Sequence, residues 1–194
     1  MTEQILKQYE VAHVSDTIHL GGMDVAGIPP TLKKVIAHQV LELLEPHVVA
    51  GHMIKQTVNG LVDYMQKGLA TVMLTQNHEV LGFAKLYAYS SENENDPPKG
   101  YEFSTWLSKY PKNGIGDQIL ADSVKTFVDQ DNPEADFFAV CSSANMTPQI
   151  KLLAAGGIIM PPPFYVPNKL EAQTGAPHQE TCINLKPLLI KGNI

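Results

Sequence analysis

Near the middle of the chain an extended run passes through two glycines into a helix, and no other stretch constrains the fold as strongly. From Glu102 to Leu107 the residues are rich in aromatic and β-branched types, which suit a half-buried strand. Pro111 and Asn113 punctuate the chain after that strand. Beyond Gly114, the residues Ile115, Ile119, Leu120, Val124 and Phe127 recur at helical spacing and predict an amphipathic helix to about Val128. A glycine turn that opens a helix leaves backbone N–H groups without intrahelical partners. Together with the positive end of the helix dipole, those donors suit a phosphate. Gly114 and Gly116 would let a ligand approach the backbone, although the same pair also fits an ordinary helix start.

The flanking pattern decides how this unit is used. Ala70–Thr75 and Val80–Tyr89 read as strands joined by the polar turn 76–79, so with the run before the turn they form an antiparallel meander. Ala135–Ser142 is the most apolar strand and is expected to be central and buried on both faces. A loop with a helix cap at residues 143–147 leads to a short helix, Pro148–Ala155, closed by Gly156-Gly157. Ile158–Val166, broken by Pro161-Pro162-Pro163, reads as an edge strand or a bent segment, and Glu180–Leu188 as a last strand. Upstream, Val11–Val14 and Thr17–Leu20 suit short strands. Thr31 is the expected cap of a helix over Leu32–Leu44 that Pro46 ends, and a second helix is expected over Gly51–Lys67 with Gly68 as its stop. The expected class is α+β: a mixed, mostly antiparallel central sheet with helices on both faces. One domain is expected over residues 1–194, with 1–69 a helical part and 70–194 the core.

Composition removes several functions. A hydrophobic content of 44% over 194 residues is enough for a full core. The net charge of -6, with no Lys/Arg cluster, argues against nucleic acid as a partner. No apolar run is long enough to span a bilayer, and the first residues lack an apolar signal core. Cys141 and Cys182 form neither a metal spacing nor a disulfide framework, which favours a reducing compartment. The expectation is a soluble cytoplasmic protein without a membrane partner. His13 and His19 lie near Asp16 but bring too few ligands for a metal, and His38, His47 and His52 lack metalloprotease spacing. The Gly-x-x-x-x-Gly-Lys-[Ser/Thr] nucleotide loop is absent.

The order of elements, with Gly114-Ile115-Gly116 before the helix, Asn145 after the buried strand and Gly156-Gly157 after the short helix, resembles the GNAT family of N-acetyltransferases from about Ala70 to the C-terminus. The family signature at the turn is [Gln/Arg]-x-x-Gly-x-[Gly/Ala], and here Pro111 stands where Gln or Arg is usual. Leu153 falls where a Tyr often acts as general acid. The resemblance implies acetyl-CoA as co-substrate, with its pantetheine arm between two splayed strands. Its pyrophosphate would rest on Asn113, Gly114, Ile115, Gly116 and Asp117, with Lys112 a candidate for the missing positive charge. The edge of Thr105, Trp106 and Leu107 would pair with the pantetheine amides as an added strand, and Asn145 would line the cofactor side.

The chemistry implied is direct attack of a primary amine, on a small molecule or a peptide, on the thioester. It needs a base, a polarised carbonyl and a proton for the leaving thiolate, with much of the rate coming from positioning. Glu102 is the candidate base, set against the alternative of a solvent-facing strand carboxylate. Tyr165, Ser142 and Ser143 are candidate proton donors, each also readable as structural. A backbone N–H near Leu107 would polarise the carbonyl. The acidic run 91–96 is a solvated loop or, beside the acceptor, an attractor for a cation. Cys141 reads as core. A different class stays open: a non-catalytic binding or regulatory module with a degenerate cofactor site. The edge near Pro161–Pro163 is a candidate homodimer surface.

Overall fold

The computed structural model describes residues 17–90, 96–143, 145–163, 166–175, 177 and 179–190. In chain order the elements are β1 (Ile18–Gly21), α1 (Gly22–Gly27), α2 (Pro30–Val49), α3 (Val58–Gln66), β2 (Ala70–Leu74), β3 (Val80–Tyr89), β4 (Gly100–Ser108), α4 (Ile115–Val128), β5 (Asp136–Ser142), α5 (Met146–Ala155), β6 (Ile158–Ile159), α6 (Lys169–Thr174), β7 (Glu180–Asn184) and α7 (Lys186–Ile190). The strands form one sheet in the order β1-β2-β3-β4-β5-β7-β6. Neighbours are antiparallel except β4 and β5, which run parallel with α4 as their crossover.

Strand alternation divides the apolar residues between two faces. On one face α4, α5 and α7 bring Ile119, Phe127, Leu152 and Leu188 against Ala84, Leu86, Phe103, Phe137 and Ile183. On the other, α2 and α3 bring Ile36, Val40, Leu61 and Met65 against Val72, Phe83 and Leu107. The class is α+β with helices on both faces of a mostly antiparallel sheet, and β5 is central, as its apolar run predicts. α4 lies close on β3 because position 82 has no side chain: a Cβ on Gly82 would stand 2.8 Å from Cγ2 of Ile115 and from Cγ1 of Ile119. That contact fixes the start of α4, and with it the glycine turn, over the sheet.

The meander, α4 and β5 fall close to their expected bounds, while other elements differ for local reasons. Thr31 is not a cap. Pro30 occupies the first turn of α2, where its missing N–H costs nothing, and Pro29 is the N-cap residue. Pro46 does not end α2, which runs to Val49. It sits in the last turn, and its carbonyl accepts from Ala50 N at 3.1 Å. α3 starts at Val58 rather than Gly51, because the Thr57 hydroxyl accepts from Gly60 N at 3.1 Å and caps it there. α5 begins at Met146 rather than Pro148. The expected strand 158–166 is reduced to Ile158–Ile159 at the sheet's outer edge. The last strand ends at Asn184, whose side-chain oxygen accepts from Lys186 N at 2.9 Å and starts α7 instead. α1, α6 and α7 are too short to show a helical period. Among the described residues no helix is long and apolar enough to cross a membrane. Val11–Val14, His13, Asp16, residues 91–95 and Tyr165 lie outside the described residues. The Nδ1 of His19 pairs with Asp122 of α4 at 2.7 Å.

Candidate functional site

β4 and β5 pair through only three positions: Gly100 with Asp136, Tyr101 with Phe137, and Glu102 with Phe138. Beyond that point β5 continues along β7 and β4 along β3. The edge of β4 that faces β5 is therefore free of strand pairing from Phe103 onward. The two strands diverge as a V with Glu102 at its apex. A bulge accompanies the divergence: the β3–β4 register slips between Phe83–Leu107 and Lys85–Ser104, and Thr105 in the slip has φ 53°. Left-handed backbone at a non-glycine residue costs about 1–2 kcal/mol, and a β-branched residue adopts it rarely. Strain of this kind concentrates at functional sites.

The wide end of the V is built from backbone. Lys112 and Gly114 both take left-handed conformations, at φ 71° and 75°. Gly114 is the N-cap of α4 and accepts from Gln118 N at 2.9 Å. The N–H groups of Ile115, Gly116 and Asp117 belong to the first turn and have no intrahelical acceptor. A Cβ on Gly114 would meet nothing within 4 Å, so the space before the turn is open. Two side-chain links reach this end. The Trp106 indole N–H donates to the Gly116 carbonyl at 3.0 Å. From α5, the Lys151 ammonium pairs with the Asp117 carboxylate at 2.8 Å and stands 5.8 Å from the centre of the Trp106 ring. Lys112 is exposed, and the Leu107 side chain is buried in the core beneath α2 and α3. Asn145 is the N-cap residue of α5, but its side chain makes no capping bond. Ser142 also belongs to the wide end. It is the last residue of β5, four positions past Phe138 and so about 13 Å along the strand from the apex. The structure does not bring it to Glu102.

The apex is built from side chains. Pairing puts Lys85, Tyr87 and Tyr89 of β3 on the same sheet face as Glu102 and Ser104 of β4 and Phe138 of β5. The Tyr89 hydroxyl donates to Oε2 of Glu102 at 2.6 Å. The Lys169 ammonium stands 4.0 Å from that oxygen, 3.3 Å from the centre of the Tyr87 ring and 5.3 Å from that of Tyr89. Lys85 donates to Oε1 of Gln56 at 2.8 Å and lies 4.2 Å from the centre of the Tyr64 ring. The Glu102 side chain is only 13% exposed, so it is not a solvent-facing strand carboxylate.

The electrostatics reflect this enclosure. Burial, and then the Lys169 charge, hold the Lys85 ammonium down at about 8, with Glu102 opposing. Burial lowers Lys169, against Glu102 and Glu180. Burial and then Glu102 push the Tyr89 phenol up, so it stays a donor to the carboxylate. The Cys141 thiol is pushed up to about 12 and that of Cys182 to about 11, by burial first and Glu102 next, so neither offers a thiolate near neutrality. The arrangement can hold a cation on aromatic faces beside a carboxylate able to take its proton.

Sequence reasoning missed Tyr89, Tyr87, Lys85, Lys169 and Lys151. The alternation Lys85-x-Tyr87-x-Tyr89 carries a signal, since it places one cation and two phenols on one face of a strand. Lys169 and Lys151 carry none, because only the fold brings α6 to the apex and α5 to the turn.

No protein-family model matches the chain. No curated protein matches it in sequence. Solved structures do match in fold. yncA from Salmonella typhimurium, solved with its cofactor acetyl-CoA, has a TM-score of 0.61 at 16% identity, over 88% of this chain and 95% of its own. An acetyltransferase of the GNAT family from Streptococcus pneumoniae has a TM-score of 0.58 at 10% identity, over 86% and 97%. N-acetylglutamate synthase from Neisseria gonorrhoeae, complexed with coenzyme A and N-acetyl-glutamate, has a TM-score of 0.54 at 11% identity over 75% of this chain. The chain spans 31% of that enzyme's length. The fold of this chain is that of the GNAT acetyltransferases.

Proposed function

We propose that the chain transfers an acetyl group from acetyl-CoA to a primary amine by direct attack on the thioester. One observation carries the reading: β4 and β5 part at Glu102, and an open, glycine-capped helix start stands at the wide end of their divergence. The residues fit the co-substrate. The first-turn N–H groups of Ile115, Gly116 and Asp117 suit its diphosphate, and Lys151 brings the positive charge that Pro111 cannot. The unpaired edge of β4 suits the amides of its pantetheine arm. At the apex, the rings of Tyr87 and Tyr89 receive the acceptor ammonium and Glu102 takes its proton. A backbone N–H of the bulged segment Thr105–Leu107 polarises the thioester carbonyl, and the departing thiolate takes a proton as the amide forms.

A second reading, a binding module that keeps the fold without catalysis, draws on the Trp106 and Lys151–Asp117 links at the place where the arm would enter. Titration calorimetry with acetyl-CoA on the wild type and on Gly114→Glu separates the two readings. Space before Gly114 is open, so the variant places a carboxylate in the ligand's path and not in the protein's own core. Its left-handed φ adds about 1–2 kcal/mol of strain, which a melting curve monitors. Binding lost in a folded variant supports the site, and release of free thiol across an amine panel then supports the transferase. Binding without turnover by any amine leaves the module. No binding by a folded wild type sinks the acetyl-CoA reading and leaves the module, or a different ligand, in front.

A further inference from the structure

We propose that the ε-amine of Lys169 is itself an acetyl acceptor in cis, so that the protein modifies its own acceptor site. The inference rests on the acetyl transfer proposed above. It starts from what occupies the apex. The cation facing Glu102 is a side chain of the same protein: an alkyl ammonium on the ring face of Tyr87, with Tyr89 beside it. This is the chemistry and the position that an amine substrate would take. At 4.0 Å from Oε2 of Glu102 the ammonium makes no close hydrogen bond, and that oxygen already accepts from Tyr89. Lys169 is thus held by the rings and by charge, free to move along its own flexible stem.

The segment that carries it is placed firmly. α6 is capped by Asn168, which accepts from Glu171 N at 2.9 Å. Leu170 is buried. The Gln173 side chain accepts from Lys55 N at 2.7 Å, which ties α6 to the loop before α3. The groups that face the amine are Glu102 and Glu180, which favour its charge, and Lys85, which shares its surroundings and opposes it. Burial favours the neutral, nucleophilic form. The step balances. Lys169 gives one proton to Glu102, its nitrogen forms a bond to the thioester carbonyl carbon, and the C–S bond breaks. The nitrogen's second proton leaves to solvent, and the thiolate takes up a proton to become free coenzyme A. The product is an uncharged N-acetyl-lysine that no longer pairs with Glu102 or binds the ring faces as a cation.

The test incubates the full chain with acetyl-CoA and follows acetyl incorporation by peptide mass mapping, with calorimetric binding of acetyl-CoA measured beside it. The exposed Lys34 of α2 serves as the internal reference for uncatalysed labelling. Lys169 is expected to be acetylated about tenfold or more faster than Lys34, as an intramolecular amine of high effective concentration should be. The rate constant should not change with protein concentration. Glu102→Gln should slow Lys169 about 100-fold and leave Lys34 unchanged. If acetyl-CoA binds and Lys169 is labelled no faster than Lys34, the proposal is overturned and the transferase reading stands. A rate that rises with protein concentration overturns the cis step. If acetyl-CoA does not bind at all, both fall.

Discussion

The two ends of the V are made of different material. The wide end is a contiguous piece of chain, residues 111–117, that presents backbone N–H groups and needs little from side chains beyond the glycines. The apex is assembled from side chains of β3, β4 and α6, packed against the Tyr64 ring of α3. The wide end is exposed, and its ion pair is a surface pair. The apex is enclosed enough to move the ionisation of Lys85 and Tyr89. A backbone site recognises what a whole class of ligands shares, while in the proposed reaction the side-chain site would set which acceptor is taken and how the proton moves.

Separable ends should break separately, and the largest effect tests that. Glu102→Gln keeps the volume and an acceptor for Tyr89 but removes the proposed base. Transfer to an amine is expected to fall about 100- to 1000-fold in kcat, with acetyl-CoA affinity unchanged. Gly114→Glu should do the reverse. If Glu102→Gln weakens acetyl-CoA as much as Gly114→Glu does, the apex takes part in cofactor binding and the division fails.

The same contrast explains what the sequence could tell. Gly114-Ile115-Gly116 is local, so the turn, α4 and the neighbouring strands are readable from period and punctuation alone. Glu102 is readable because it sits in the strand that leads into that turn. Its partners are not: Tyr89 meets it across a strand pair, and Lys169 meets it only after the chain has passed through β5, α5 and β6. Propensity also missed the bulge. Nothing in Ser104-Thr105-Trp106 announces a left-handed threonine, because the conformation is imposed by pairing with β3.

Lys85 sharpens the contrast from the side of stability. Its ordinary value of 10.5 is lowered to about 8 in the folded protein. Between those values the folded protein holds the amine neutral while the unfolded chain keeps it protonated. The unfolded state therefore binds the extra proton, and stability rises with pH across that window. A shift of this size corresponds to about 3 kcal/mol. The Cys141 and Cys182 thiols, raised by burial from an ordinary value of 9.0, pull the other way above about pH 9, and Tyr64 and Tyr89, also raised by burial, do so above about pH 10, so the clean window is roughly pH 8–9. Denaturant unfolding of the wild type is expected to show the rise, and Lys85→Met to reduce it to what Lys169, also lowered by burial, contributes. An equal rise in the variant would place the titrating group elsewhere and leave the apex less enclosed than its geometry implies.

The smallest effect belongs to the wide end. Lys151 and Asp117 have side chains 41% and 69% exposed, so breaking their pair should change stability by less than about 1 kcal/mol. Binding is the sensitive readout. If Lys151 exchanges Asp117 for a phosphate, Lys151→Ala weakens acetyl-CoA about tenfold, or about 1.4 kcal/mol, and flattens the dependence of affinity on salt. Asp117→Asn should then tighten binding, because it frees Lys151 and removes a negative charge beside the diphosphate. Tighter binding by Lys151→Ala would mean the opposite: the pair acts as a latch across the entrance, and the cofactor opens it at a cost. The two variants together decide whether the wide end is a backbone site assisted by one lysine or a site that the same lysine keeps shut.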